Sequence, residues 1–78
     1  MMEEKILSLL ERVCGTDEVR NERDINLFEA GILDSLGVIE LLVGAEELGI
    51  KIEPTEIERT DIDTPAKIIA TFSKRVAG

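Results

Sequence analysis

The sequence predicts an all-α fold: a small four-helix bundle of three main helices and one short helix, with a long first loop. Three observations lead there. Apolar residues recur at helical spacing in three separate stretches. Glycines close the first two stretches, at Gly15 and Gly49. A Thr64-Pro65 pair opens the third. The 78 residues fit a single domain over 1–78. A chain this short has a small core and no room for a cleft between two lobes.

The first helix is expected from about Glu3 to Cys14. Ile6, Leu7, Leu9, Leu10, Val13 and Cys14 fall on one broad face. Cys14 shares that register, so a buried, inert thiol is the expected state. Residues 16–34 have no clear period. A structureless stretch of that length is unusual in a compact domain. Ile25, Leu27, Phe28, Ile32 and Leu33 are placed to pin it, so a packed loop with a turn of helix is expected.

The second main helix is expected from Ser35 to Leu48. Its inner stripe is Val38, Leu41, Leu42, Ala45 and Leu48. Leu36, Glu40, Val43 and Glu47 line the opposite face. Ile50-Lys51-Ile52 reads as an extended link, and Pro54 opens a short helix through about Arg59. Thr64 then caps the last helix, whose buried side is Ile68, Ile69, Phe72 and Val76. Lys74 and Arg75 are expected in its last turn, where cations complement the dipole.

Charge narrows the partners. The chain has 17 acidic and 9 basic residues. Residues 29–63 hold ten acidic residues and only Lys51 and Arg59 as cations, so the whole net charge of −8 lies there. That excludes a nucleic-acid binder, which needs clustered cations, and disfavours anionic membrane surfaces. The charge reads either as a solvated face that aids solubility or as a surface that steers basic partners toward Ser35. No apolar run approaches a membrane span and no signal peptide is evident, so a cytoplasmic protein, not embedded in a membrane, is expected. A monomer is the default expectation.

Much chemistry is excluded by what is missing. With no histidine, a Ser-His-Asp or Cys-His arrangement cannot form. One cysteine and no histidine leave zinc without ligands. Walker, G-x-G-x-x-G and EF-hand patterns are absent. Catalysis by this chain alone is not expected.

The informative tripeptide is Asp34-Ser35-Leu36, between Gly31 and Gly37, where the polar connector meets the second main helix. Ser35 then stands at the positive end of a helix dipole, which favours an attached phosphate. Ser35 as a plain N-cap is the simpler alternative. A full capping box would need Glu or Gln where Val38 stands. Asp34 is able to cap instead, freeing the Ser35 hydroxyl. Gly37 costs a helix roughly 1 kcal/mol against alanine, which fits a backbone that something approaches closely. Leu36, Glu40, Val43 and Glu47, with Asp34, form the expected docking surface.

Glu29-Ala30-Gly31-Ile32-Leu33-Asp34-Ser35-Leu36 resembles the modification site of phosphopantetheine-dependent carrier proteins. The resemblance covers essentially the whole chain. It implies that Ser35 receives 4′-phosphopantetheine from coenzyme A, through a phosphopantetheinyl transferase. It also implies that the arm's thiol holds an acyl or aminoacyl group as a thioester. Within the family the chain looks most like the D-alanyl carrier proteins. Val13-Cys14, Leu27-Phe28-Glu29, Gly37, Glu40-Leu41-Leu42, Pro54-Thr55-Glu56, Arg59, Asp61 and Thr64-Pro65 support this. The chain departs from their pattern at Leu36, at Val38 and at residues 60–63. That likeness implies D-alanine as cargo and a D-alanine–carrier protein ligase that loads it. A membrane acyltransferase system then passes it to lipoteichoic acid in cell wall biogenesis. Another discrete acyl or peptidyl carrier, and a cofactor-free helical interaction module, are the alternatives.

Overall fold

The structure, a computed structural model, describes residues 2–75. Four α-helices follow in order: α1 (Met2–Cys14), α2 (Glu18–Asn21), α3 (Ser35–Glu47) and α4 (Pro65–Ser73). Helix α1 is central and packs against each of the other three. Its Ile6, Leu7, Leu9 and Leu10 are buried, while Val13 and Cys14 are half-buried at the core's edge. Cys14 is thus less enclosed than its register suggested. Burial still pushes its thiol pKa up, toward the inert form.

Gly15 (φ +71°) and Gly49 (φ +85°) end α1 and α3 in the left-handed region that side-chain-bearing residues avoid. Leu48, expected inside α3, is its C-cap.

The long first loop is packed, as its apolar content required. The short α2 supplies Val19, fully buried, and Leu27 and Leu33 are buried after it. The Asn26 side chain accepts the N–H groups of Phe28 and Glu29, and the Leu27 carbonyl accepts those of Ile32 and Leu33. Leu27 N–H donates to the Asp63 carbonyl (2.7 Å) and Ala66 N–H to the Arg23 carbonyl (2.9 Å), tying the loop to the start of α4. Arg20 reaches back to Glu4 (2.7 Å) and Glu11, and Arg23 to Glu3 (3.2 Å), which fixes α2 against α1.

The expected short helix from Pro54 to Arg59 is instead two 3-10 turns, Pro54–Glu56 and Arg59–Asp61, split by extended Ile57. Each turn closes on itself. Glu53 N–H donates to the Glu56 carboxylate (3.2 Å) and Glu58 N–H to the Asp61 carboxylate (2.8 Å). A single helix would have to give up one of these closures.

Helix α4 begins as expected, with the Thr64 hydroxyl accepting the Lys67 N–H (3.1 Å) and Pro65 at the first position. Ile68 and Phe72 are fully buried and Ile69 is half-buried. Lys74 and Arg75 lie past the helix's last residue rather than in its last turn. Lys74 is the C-cap, and Arg75 pairs with Glu56. Val76 falls outside the described residues.

Candidate functional site

The start of α3 concentrates the candidate residues. Asp34 is extended (φ −127°, ψ −175°) and is the N-cap: its carboxylate accepts the Gly37 N–H at 2.8 Å. Ser35 is therefore the first helical residue and not the cap. It is exposed, and among the described residues its hydroxyl takes no part in a hydrogen bond. The N–H groups of Ser35 and Leu36, in the first turn, have no acceptor inside the helix.

Gly37 has a local reason. A Cβ there would stand 2.8 Å from the Leu33 side chain and 3.3 Å from the Asp34 carboxylate. The close approach inferred from the sequence is thus made by the chain itself. Leu33 is buried, so it cannot move away freely.

Ser35 opens onto a cleft of about 200 Å³ lined by Phe28, Val38, Leu42, Pro54, Ile57, Glu58, Arg59 and Ile62. The loop, α3 and both 3-10 turns contribute to it. The Arg59 guanidinium lies over the Phe28 ring, 4.4 Å from its centroid. A larger cleft of about 270 Å³ lies between α1 and α3 and does not include Ser35.

The other face of α3 is open. Leu36, Ile39 and Val43 are 64%, 57% and 55% exposed, the large apolar side chains most open to solvent among the described residues. Glu40, Glu46 and Glu47 are exposed beside them, and α3 holds no cation. Leu36, Glu40, Val43 and Glu47 thus share a solvent face, as their spacing required. Ile39 and Glu46 belong to that face and were not anticipated. Their signal was present, since Ile39 is three residues after Leu36 and four before Val43. On the inner stripe Leu41, Leu42 and Ala45 are buried, with Val38 and Leu48 half-buried.

Among the described residues no group of three or more His, Cys, Asp or Glu is placed to hold a metal ion. No helix among them is long and apolar enough to cross a membrane.

The profile of the family described as "phosphopantetheine attachment site" matches residues 4–72. The chain belongs to this family. Its prosthetic group is therefore 4′-phosphopantetheine, and the carrier resemblance seen in the sequence is met. The first turn of α3 fits such a group. It offers an exposed hydroxyl left free by the Asp34 cap, beside N–H groups suited to a phosphate.

Within the family the chain is similar to proteins named D-alanyl carrier protein. It is 51% identical to that of Abiotrophia defectiva, over 97% of this chain and 98% of the relative. It is 46% identical to that of Enterococcus faecalis, over 87% and 88%. It is 43% identical to that of Lactococcus lactis subsp. lactis, over 95% of both.

Proposed function

We propose that residues 1–78 form one carrier domain that bears phosphopantetheine on Ser35 and holds D-alanine for transfer to lipoteichoic acid. The observation that carries the attachment reading is the division of labour at α3. Asp34 caps the helix, so Ser35 is left exposed with its hydroxyl unused. The D-alanine reading rests on the relatives that bear that name, 41–51% identical to this chain.

The bound group supplies a thiol that takes the cargo as a thioester. The chain's own residues do the rest. Ser35 presents its hydroxyl at the positive end of α3, where a phosphodiester's charge is favoured. Asp34 keeps that turn formed, and Leu33 behind Gly37 fixes its position. Leu36, Ile39 and Val43, with Glu40, Glu46 and Glu47, present an apolar strip edged by carboxylates. Such a strip suits brief docking on basic, apolar-centred surfaces of partner enzymes. The partners of this reading are a phosphopantetheinyl transferase, a D-alanine–carrier protein ligase and a membrane acyltransferase system. The chain acts as a tether in the cytoplasm, and separate enzymes supply the catalysis.

Incubation with coenzyme A and a phosphopantetheinyl transferase, followed by intact mass, tests the attachment. The mass of the native chain rises by one phosphopantetheine and that of Ser35→Ala does not. Equal behaviour of the two overturns the reading. Offering the loaded chain to a D-alanine ligase with ATP tests the cargo. A further gain of one alanyl group is expected, and its absence shifts the function to another carrier class.

A further inference from the structure

We propose that Arg59 is the counter-ion of the tethered phosphodiester, a positioning residue that holds the base of the arm against the cleft beside Ser35. This rests on the attachment reading above.

The charge pattern poses the problem. Residues 29–63 carry a net −8, and Asp34 adjoins the attachment point. A phosphodiester adds another anion to that field. The segment's only cations are Lys51 and Arg59, and only Arg59 lines the cleft that Ser35 opens onto.

Arg20, Arg23 and Arg75 each hold a glutamate. Arg12, like Arg59, is in no ion pair among the described residues, but it lines the α1–α3 cleft and not the one beside Ser35. Arg59, among the described residues, takes part in no ion pair and no side-chain hydrogen bond, although acidic residues surround it in sequence. Glu58 lines the same cleft. The Asp61 carboxylate is engaged by the Glu58 N–H. The Arg59 guanidinium instead lies over Phe28. Stacking through its face leaves the donors at the rim of the plane free, in a fork that matches phosphate oxygens. Phe28 thus parks the cation without consuming its hydrogen bonds. Arg59 is also the first residue of a 3-10 turn that closes on itself through Glu58 and Asp61, which limits how far its backbone drifts.

The test follows the Arg59 side-chain Nε–Hε resonance by NMR in the unmodified chain and after attachment, with intact mass confirming conversion. Attachment is expected to shift the resonance. Its exchange with water should slow about two- to fivefold, the scale of an exposed charge-assisted contact. Added salt should shrink the difference. In the modified chain, Arg59→Gln should shift the ³¹P resonance and loosen the arm's first amide, and Arg59→Lys should restore part of both. Complete conversion by mass with an unchanged Arg59 resonance overturns this inference alone. No gain in mass overturns it together with the attachment reading. The comparison uses the native chain, so it stands even where a variant folds poorly.

Discussion

The Asp34 carboxylate accepts the backbone N–H of Gly37 at 2.8 Å, so the residue before Ser35 is the one that starts α3. The two neighbours therefore have separable roles. Asp34→Ala removes the cap and is expected to cost about 1 kcal/mol, within the usual span for such caps. Ser35→Ala removes a hydroxyl that caps nothing and is expected to stay within about 0.5 kcal/mol of the native chain. Urea unfolding followed by circular dichroism measures both. A Ser35→Ala loss as large as that of Asp34→Ala would return Ser35 to the role of a plain cap.

Glycines inside α3 are expected to resist replacement, against their helix propensity. Alanine for glycine in a helix interior normally gains about 1 kcal/mol. At Gly37 the new Cβ meets Leu33 at 2.8 Å, and at Gly44 it meets Leu9 closer still, both leucines being buried. Overpacking of this kind costs about 1–3 kcal/mol. Gly37→Ala should therefore fail to stabilise. Gly44→Val, which also adds a branched Cβ, should destabilise by about 1–3 kcal/mol and loosen α1 from α3. Thermal unfolding of the two variants reads the sign directly, and a raised midpoint in either would refute the packing account.

The contact of Arg20 with Glu4 makes part of the stability acid-sensitive. The guanidinium holds the Glu4 carboxyl below its ordinary 4.5. A carboxylate whose pKa falls on folding stabilises the native state above its unfolded pKa, and that contribution disappears as pH drops through the folded value. The native chain should thus exceed Arg20→Gln in stability at neutral pH. The gap should narrow below pH 4.5, as Glu4 takes up a proton. Glu56 is held low in the same sense by Arg75, so Arg75→Gln should show the same narrowing. Both pairs are exposed, so added salt should shrink the gap as well. A gap that is constant with pH, measured in parallel urea titrations, would show that these pairs contribute nothing.

The sequence made the three long helices readable because each joins a periodic apolar stripe to a chemical start or stop. Asp34, Thr64, Gly15 and Gly49 all act where their chemistry placed them. Helix α2 was less readable. Four residues are too few to show a period, and its anchor Val19 is a lone apolar residue in a polar run. The split of residues 54–61 was written in two acidic spacings, Glu53 to Glu56 and Glu58 to Asp61, whose closures outweigh one continuous helix. Ile39 does not stand out by pattern because α3 is apolar almost all round, and its position falls between the inner stripe and the outer one it completes. The contact of Arg59 with Phe28 joins residues far apart in the chain and had no local signal.

Ile39 gives the sharpest test of the outer face of α3. It is 57% exposed between Leu36 and Val43, so replacing it removes apolar contact area without opening the core. Surface changes of this kind leave stability within about 0.5 kcal/mol. If the strip docks on partner enzymes, Ile39→Asp should raise the KM of the transferase or ligase for this chain roughly five- to thirtyfold, the range of one well-placed interface residue. Reversal of Glu40 or of Glu47 to lysine should act in the same direction and lose its effect at high salt, because it works through long-range attraction. Glu18→Lys, the same single reversal on α2, should leave KM near its native value. Loading kinetics that rank Glu18→Lys with the reversals on α3 would assign their effect to net charge, and a native KM for Ile39→Asp would remove the strip from the interface.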